Sequence, residues 1–196
     1  MFQVRFHGRG GQGVVTAAEL LSLAAFAEGR HAQAFPSFGS ERTGAPVVSF
    51  CRIDDRPIRT REPILEPDAL VVQDVTLVHQ LELFVGLSAE GYVLINTSRS
   101  VDELGLGDEV ARRRPERWVS VPATEIALEH VGRPLPNAVL LGGFAALTGV
   151  VTLDAIEQAI RHRFSGAVAE RNVAAAHAAY RIVATEKEER SGARTA

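Results

Sequence analysis

Residues 2–16, FQVRFHGRGGQGVVT, hold a strand, a glycine-rich turn and a helix start in direct succession. Phe2, Val4 and Phe6 alternate with Gln3 and Arg5, the period of a strand with one face on a core. Gly8, Gly10 and Gly13 then fall at G-x-G-x-x-G spacing, after the strand and before an apolar helical run, which is the context that fingerprint requires. Glycines accept positive φ and let backbone amides approach a phosphate, and the helix start adds its free N–H groups and positive dipole end. The loop is therefore ready for an anion, although such a turn also serves simply to pack a helix on its strand. His7 is read as a turn residue rather than a catalytic one, since no base or orienting partner is visible beside it.

A dinucleotide site would place a carboxylate on the ribose about 20 residues further on. The second strand, residues 31–35, ends in Pro36-Ser37 without one, and Glu28 comes before the strand, so NAD is disfavoured. The chain has 196 residues, 46% of them hydrophobic and 23% charged, which supports one well-buried core: a single domain over residues 1–185 and a loose charged tail over 186–196. A net charge of −3 argues against nucleic acid or an anionic membrane as partner. With no run of transmembrane length and no leader pattern, a cytoplasmic protein is expected. The single cysteine, Cys51, allows neither an internal disulfide nor a four-thiolate cluster on this chain, and the six histidines lack metal-ligand spacing. Neither a catalytic constellation nor a metal site is expected.

A helix free of breakers follows over residues 14–28, apolar on more than one side and stopped by Gly29, so it should be buried on several sides. Residues 36–46, PSFGSERTGAP, are bracketed by proline and form a loop. It should leave the carboxyl edge of its strand with Ser37, Glu41 and Arg42 facing the crevice beside the glycine loop, Arg42 being suited to phosphate or carboxylate. Residues 47–53 read as a strand carrying Cys51 as packing, with Asp54-Asp55 turning into a short return strand at Pro57-Ile58. Buried strands follow at 68–74, 91–97 and 118–122, with helices at 75–85 and from 123, and Arg112-Arg113-Arg114 reads as a solvated helix end. Helices are expected over 138–150, where Gly142-Gly143 permits close backbone approach, from a Thr152 cap, and over 167–187. The alternation predicts an α/β fold: a Rossmann-like, doubly wound, mostly parallel sheet with an antiparallel hairpin excursion.

The stretches RFHGRGGQGVVTAAELL, AFPSFGSERTGAPVVSFCRIDD, EPDALVVQD, INTS, VPATEIALE and LPNAVLLGGFAAL, with RHRFSGAVAERNVAAAHAAY near the end, resemble the γ subunit of the 2-oxoacid:ferredoxin oxidoreductases, the pyruvate synthase type in particular. The likeness covers residues 2–180. It implies a complex that oxidatively decarboxylates a 2-oxo acid on thiamine diphosphate with Mg2+. Electrons pass through [4Fe-4S] clusters to ferredoxin or another acceptor, and coenzyme A takes the acyl group. The cofactors would lie on α, β and δ-type partner chains, this chain being inactive alone and packing near the coenzyme A approach. Gly8, Gly10, Gly11, Gln12, Gly13, Ser37 and Arg42 are the candidate coenzyme A-binding residues under that resemblance. Family loops often continue from the arginine with Gly-Gly or Arg-Gly, whereas Arg42 is followed by Thr43-Gly44-Ala45, which leaves pyruvate, branched-chain, aryl and indole 2-oxo acids open. The alternatives are a freestanding NAD-binding oxidoreductase on the same loop, and a scaffold whose glycine loop is structural only.

Overall fold

A computed structural model describes residues 1–37 and 43–192. Six strands form one sheet: β1 (Phe2–Arg9), β2 (His31–Pro36), β3 (Pro46–Asp54), β4 (Ala69–Val72), β5 (Tyr92–Asn96) and β6 (Trp118–Val121), in the order β2-β3-β1-β4-β5-β6. β3 runs antiparallel to both neighbours, with Val4 opposite Cys51 and Ala34 opposite Cys51 from the other side, while β1, β4, β5 and β6 pair in parallel. The mixed, mostly parallel α/β sheet is as the sequence predicts. The excursion, however, consists of β2 and β3 themselves, and residues 57–58 form no return strand. Pro57 has no N–H to offer a ladder, and the preceding Arg56 N–H is spent on Asp54 Oδ1.

One face of the sheet carries the larger core. Val4, Phe6, Val71, Leu94 and Val119 pack there against α1 (Val14–Ala27) and against helices from the C-terminal half of the chain, α3 (Ala123–Val131), α4 (Asn137–Thr148), α5 (Leu153–Arg163) and α6 (Gly166–Gly192). α1 lies between β2, β3 and α5, which is why its sequence is apolar on more than one side. Its end follows the expected pattern: Gly29 takes φ 78° and the Arg30 N–H returns to Ala25 O. α4 is buried from Asn137 to Leu147. A Cβ on Gly142 would sit 1.9 Å from Ala176 O, so the backbones of α4 and α6 touch at that glycine. Thr152 caps α5 by accepting the Ala155 N–H at 3.2 Å.

The opposite face carries a second apolar cluster over β4, β5 and β6, closed by Leu77, Leu83, Leu87, Leu104 and Leu106, together with the short α2 (Gly107–Ala111). The helix expected over 75–85 is a 3-10 turn, Val75–His79, followed by tight turns. Asp74 accepts the Thr76 N–H, Val75 and Thr76 are β-branched, and Gly86 at φ 79° passes so close to Leu65 O that no side chain fits. α6 in turn runs past Lys187 to Gly192, so the helix continues into residues expected in the tail. Lys187 Nζ donates to Ala146 O and Leu147 O at the end of α4, which anchors this last part of the helix.

Candidate anion-binding crevice at the sheet's reversal point

From β1 the chain moves to one side of the sheet to build β2 and β3, then crosses back to place β4 on the other side of β1. Open α/β sheets bind ligands at such a reversal, outside the carboxyl ends of the strands. The glycine loop leaves β1 at this point. Its conformation is set by Gly11 at φ 95° and Gly13 at φ 74°, and a Cβ on Gly13 would lie 2.5 Å from Asn137 Nδ2. Gly8 is still in β1, where a Cβ would meet Val14 Cγ2 at 2.6 Å, so this glycine lets α1 settle on the sheet. Ser49 Oγ donates to Val14 O at 2.8 Å and fixes the same end of α1 to β3.

Arg9 and Gln12 lock the loop to its surroundings. Gln12 Oε1 accepts the Arg9 N–H at 2.7 Å and Gln12 Nε2 donates to Asp74 Oδ2 at 2.8 Å. The Arg9 guanidinium meets Asp74 Oδ2 at 3.3 Å and donates to Gly44 O, Thr76 Oγ1 and Gln80 Oε1. Burial opposes ionisation of Asp74, but hydrogen bonds from Thr76 and Gln12 and the charge of Arg9 outweigh it and hold its carboxyl below the usual carboxylate range. The returning arm of the 36–46 loop is stitched on by backbone bonds, Gly10 N–H to Ala45 O at 2.9 Å and Gly44 N–H to Gly10 O at 3.1 Å.

Two crevices border this loop. One, of about 320 Å³, is lined by Arg9, Gly10, Gly11, Gly13, Val15 and Thr16. α1 opens into it with no acidic residue in its first turn and no side-chain cap, its first intrahelical bond being Ala17 N–H to Gly13 O. The earlier amides are the free donors of a helix start, and with the dipole they suit an anion such as a phosphate. The other, of about 270 Å³, is lined by Gln12, Gln73, Asp74, Asn96, Thr97 and Thr124. Asn96 ties the ends of β4 and β5 to α3 by donating to Gln73 O and Thr124 Oγ1 and accepting the Thr124 N–H. The Gln73 side chain is 1% exposed, and both its amide atoms lack a hydrogen-bond partner among the described residues.

Gly10, Gly11 and Gly13 thus meet in the first crevice, Gln12 lines the second, and Gly8 packs beneath the loop. Ser37 lines a different groove, on the outer face of the sheet with Arg5 and His7. Arg42 and Glu41 lie outside the described residues. Arg9, Gln73 and Asn96 were not singled out as binding residues from sequence, although Arg9 sits inside the glycine motif and the other two end strands at the carboxyl edge. His7 is a strand residue, 6% exposed, because β1 continues through Arg9. The residues present do not fit an iron–sulfur cluster: the one thiol, Cys51, is fully buried in β3 and burial pushes its pKa up. The triple arginine is engaged in surface ion pairs, Arg112 and Arg113 with Glu109, and Arg114 with Glu116 and Glu90. No helix among the described residues is long and apolar enough to cross a membrane.

A family model described as pyruvate ferredoxin/flavodoxin oxidoreductase matches residues 3–182. The pyruvate/ketoisovalerate oxidoreductases common subunit gamma of Pyrococcus furiosus is 49% identical over 180 residues, 92% of this chain and 96% of that protein. The crystal structure of the pyruvate oxidoreductase subunit PORC of Thermotoga maritima superposes with a TM-score of 0.77 at 36% identity, covering 92% of this chain and 95% of that one. A 2-oxoglutarate:ferredoxin oxidoreductase from Magnetococcus marinus, solved with 2-oxoglutarate, coenzyme A and succinyl-CoA bound, shares the fold with a TM-score of 0.71 at 16% identity. That match covers 94% of this chain and 31% of the longer one.

Proposed function

The chain belongs to the pyruvate ferredoxin/flavodoxin oxidoreductase family, and from that premise we propose that it serves as the γ-type subunit of a complex converting a 2-oxo acid, pyruvate foremost, to acyl-CoA and CO2. Thiamine diphosphate, Mg2+ and [4Fe-4S] clusters ride on α, β and δ-type partner chains, with ferredoxin or another acceptor taking the electrons in the cytoplasm. The chain alone is inactive; residues 1–185 act as one unit that supports assembly and holds part of coenzyme A. The observation that carries the coenzyme A assignment is the uncapped start of α1 over a glycine-lined crevice, which matches the pyrophosphate of that carrier in charge and hydrogen-bonding sense. Arg42, outside the described residues, is kept as a further phosphate-binding candidate on its place in the sequence motif. The orphaned amide of Gln73 supports the same reading, because it offers a donor and an acceptor to a polar group beside the loop.

The test is Thr16→Asp in the assembled enzyme. A carboxylate in the first turn favours the helix by about 0.3–1 kcal/mol while repelling a phosphate from the same amides. The expected result is a coenzyme A KM raised about ten-fold or more, an unaltered KM for the 2-oxo acid and no loss of thermal stability. An unchanged coenzyme A KM overturns the crevice assignment. Affinity purification of the tagged chain with partner chains and a brown iron–sulfur absorbance tests the complex itself.

A further inference from the structure

The outer face of the sheet over β1 and β3 is covered by crossing chain, which buries His7, Phe50 and Arg52 beneath Ile64 but leaves a groove at the surface. On that face Arg5 and His7 of β1 stand beside Phe50 and Val48 of β3, their register partners, while Val4 and Phe6 face the core. Between these strands, Ile64 and the turn around Leu83 lies a groove of about 360 Å³. Leu65, Val85 and Leu81 rim it at 76%, 62% and 39% exposure, three of the eight exposed large apolar side chains among the described residues gathered at one place. A cluster of this kind marks a protein contact rather than ordinary surface.

The floor asks for an acceptor. Arg5 Nε donates to His7 Nε2 at 3.0 Å, and its Nη2 donates to Leu83 O and Val85 O, but no carboxylate among the described residues comes within 4.0 Å of the guanidinium. Glu82 also lines the groove, exposed and outside that range. Because His7 Nε2 accepts from Arg5, the ring's proton belongs on Nδ1. That Nδ1 is buried and has no acceptor among the described residues. A positive charge without its counter-charge therefore lies in a groove with an apolar rim, held in place from beneath by His7.

We infer that this groove is a docking site for a segment of another subunit of the complex, which presents an Asp or Glu carboxylate to Arg5 and packs apolar side chains against Leu65, Leu81 and Val85. The inference rests on the chain working within a complex, and charge complementarity selects the occupant. The first variant is the double substitution Leu65→Asp with Val85→Asp, at positions exposed enough to leave the fold intact. It is compared with the unaltered chain by affinity purification with its partners. Unaltered melting and recovery of partner chains reduced about ten-fold or more are the expected results. The second is Arg5→Lys in the complex treated with a carbodiimide, which should join the introduced amine to an Asp or Glu of a partner chain, identified by peptide mass. Full partner recovery with the double variant, a link only to a second copy of this chain, or no link at position 5 overturns the proposal. If the unaltered chain itself recovers no partner, the complex reading falls as well, an outcome distinct from loss confined to the variants.

Discussion

Arg9 Nε lies 3.3 Å from Asp74 Oδ2 across the reversal point, so the strand that opens the chain and the strand that crosses back are joined by one ion pair at the mouth of the glycine loop. Both side chains are largely buried there, at 25% and 13% exposure, and Gln12 and Thr76 donate to the same carboxylate.

Asp74→Ala should therefore lower stability by about 2 kcal/mol, the range for losing a charged acceptor with several donors. Asp74→Asn, which keeps an acceptor, should lose less. Urea denaturation compares the two. In the folded protein the Asp74 pKa lies below its usual value, so the stabilisation it gives is present above about pH 4 and is lost as pH falls through the folded value. Asp74→Asn should remove that part of the acid sensitivity.

His7 provides a second, separate pH dependence. Burial first, and then the charge of Arg5, pushes its pKa down to about 3. The unfolded chain binds a proton near pH 6.5 that the folded chain refuses, so stability is full above that value and falls on acidification toward pH 3. Between pH 7 and 5.5 the loss should be about 1 kcal/mol. His7→Gln should flatten the curve in this window, as read from denaturation midpoints at each pH.

Gly11 and Gly13 should respond differently to alanine. Both have positive φ, but the space at Gly11 is open, whereas Gly13 faces Asn137. Gly11→Ala should cost about 1 kcal/mol from backbone strain alone, and Gly13→Ala about 3 kcal/mol or more, since strain and collision add. Thermal melts of the two variants order them.

Gly142 and Gly143 give a sharper contrast. A methyl at Gly142 meets the Ala176 backbone, which cannot yield without moving α6, so Gly142→Ala should cost about 3 kcal/mol. At Gly143 the nearest atoms are Val183 Cγ2 at 3.3 Å and Leu94 Cδ2 at 3.5 Å, ends of side chains that can shift. Gly143→Ala should be close to neutral, because the helix propensity gained, up to about 1 kcal/mol, offsets the crowding. Calorimetric melting temperatures compare the pair.

Periodicity made most of the elements legible in the sequence. Val4 and Phe6 read as a strand face, residues 14–28 as an over-apolar helix and Thr152 as a cap, and each is found so. Neighbours were not legible. The alternation in Pro46–Asp54 reveals a strand but not that it slips between β1 and β2, since that depends on Cys51 meeting both Val4 and Ala34 across long intervals of chain. The 75–85 segment misled because its apolar spacing suits a helix, while Leu77, Leu83 and Leu87 bury themselves equally well from turns. At the site, the glycines announced the loop. The network that holds it could not be read, because Arg9, Gln12, Asp74 and Gln80 are brought together by folding alone. Ser37 was misplaced for the same reason: its position one residue beyond β2 puts it at the right edge but on the outer face.

The central position of β1 also governs the order of events during synthesis. Its two sheet partners begin at Pro46 and Ala69, so β1, made before either, waits for both before its backbone is paired on either side. Until then Val4 and Phe6 have only α1 to cover them. Closing the long interval between β1 and β4 carries a larger loop-entropy cost than pairing β1 with β3. A nascent chain halted before Val72 holds an unpaired apolar edge, the form of this protein most in need of a chaperone.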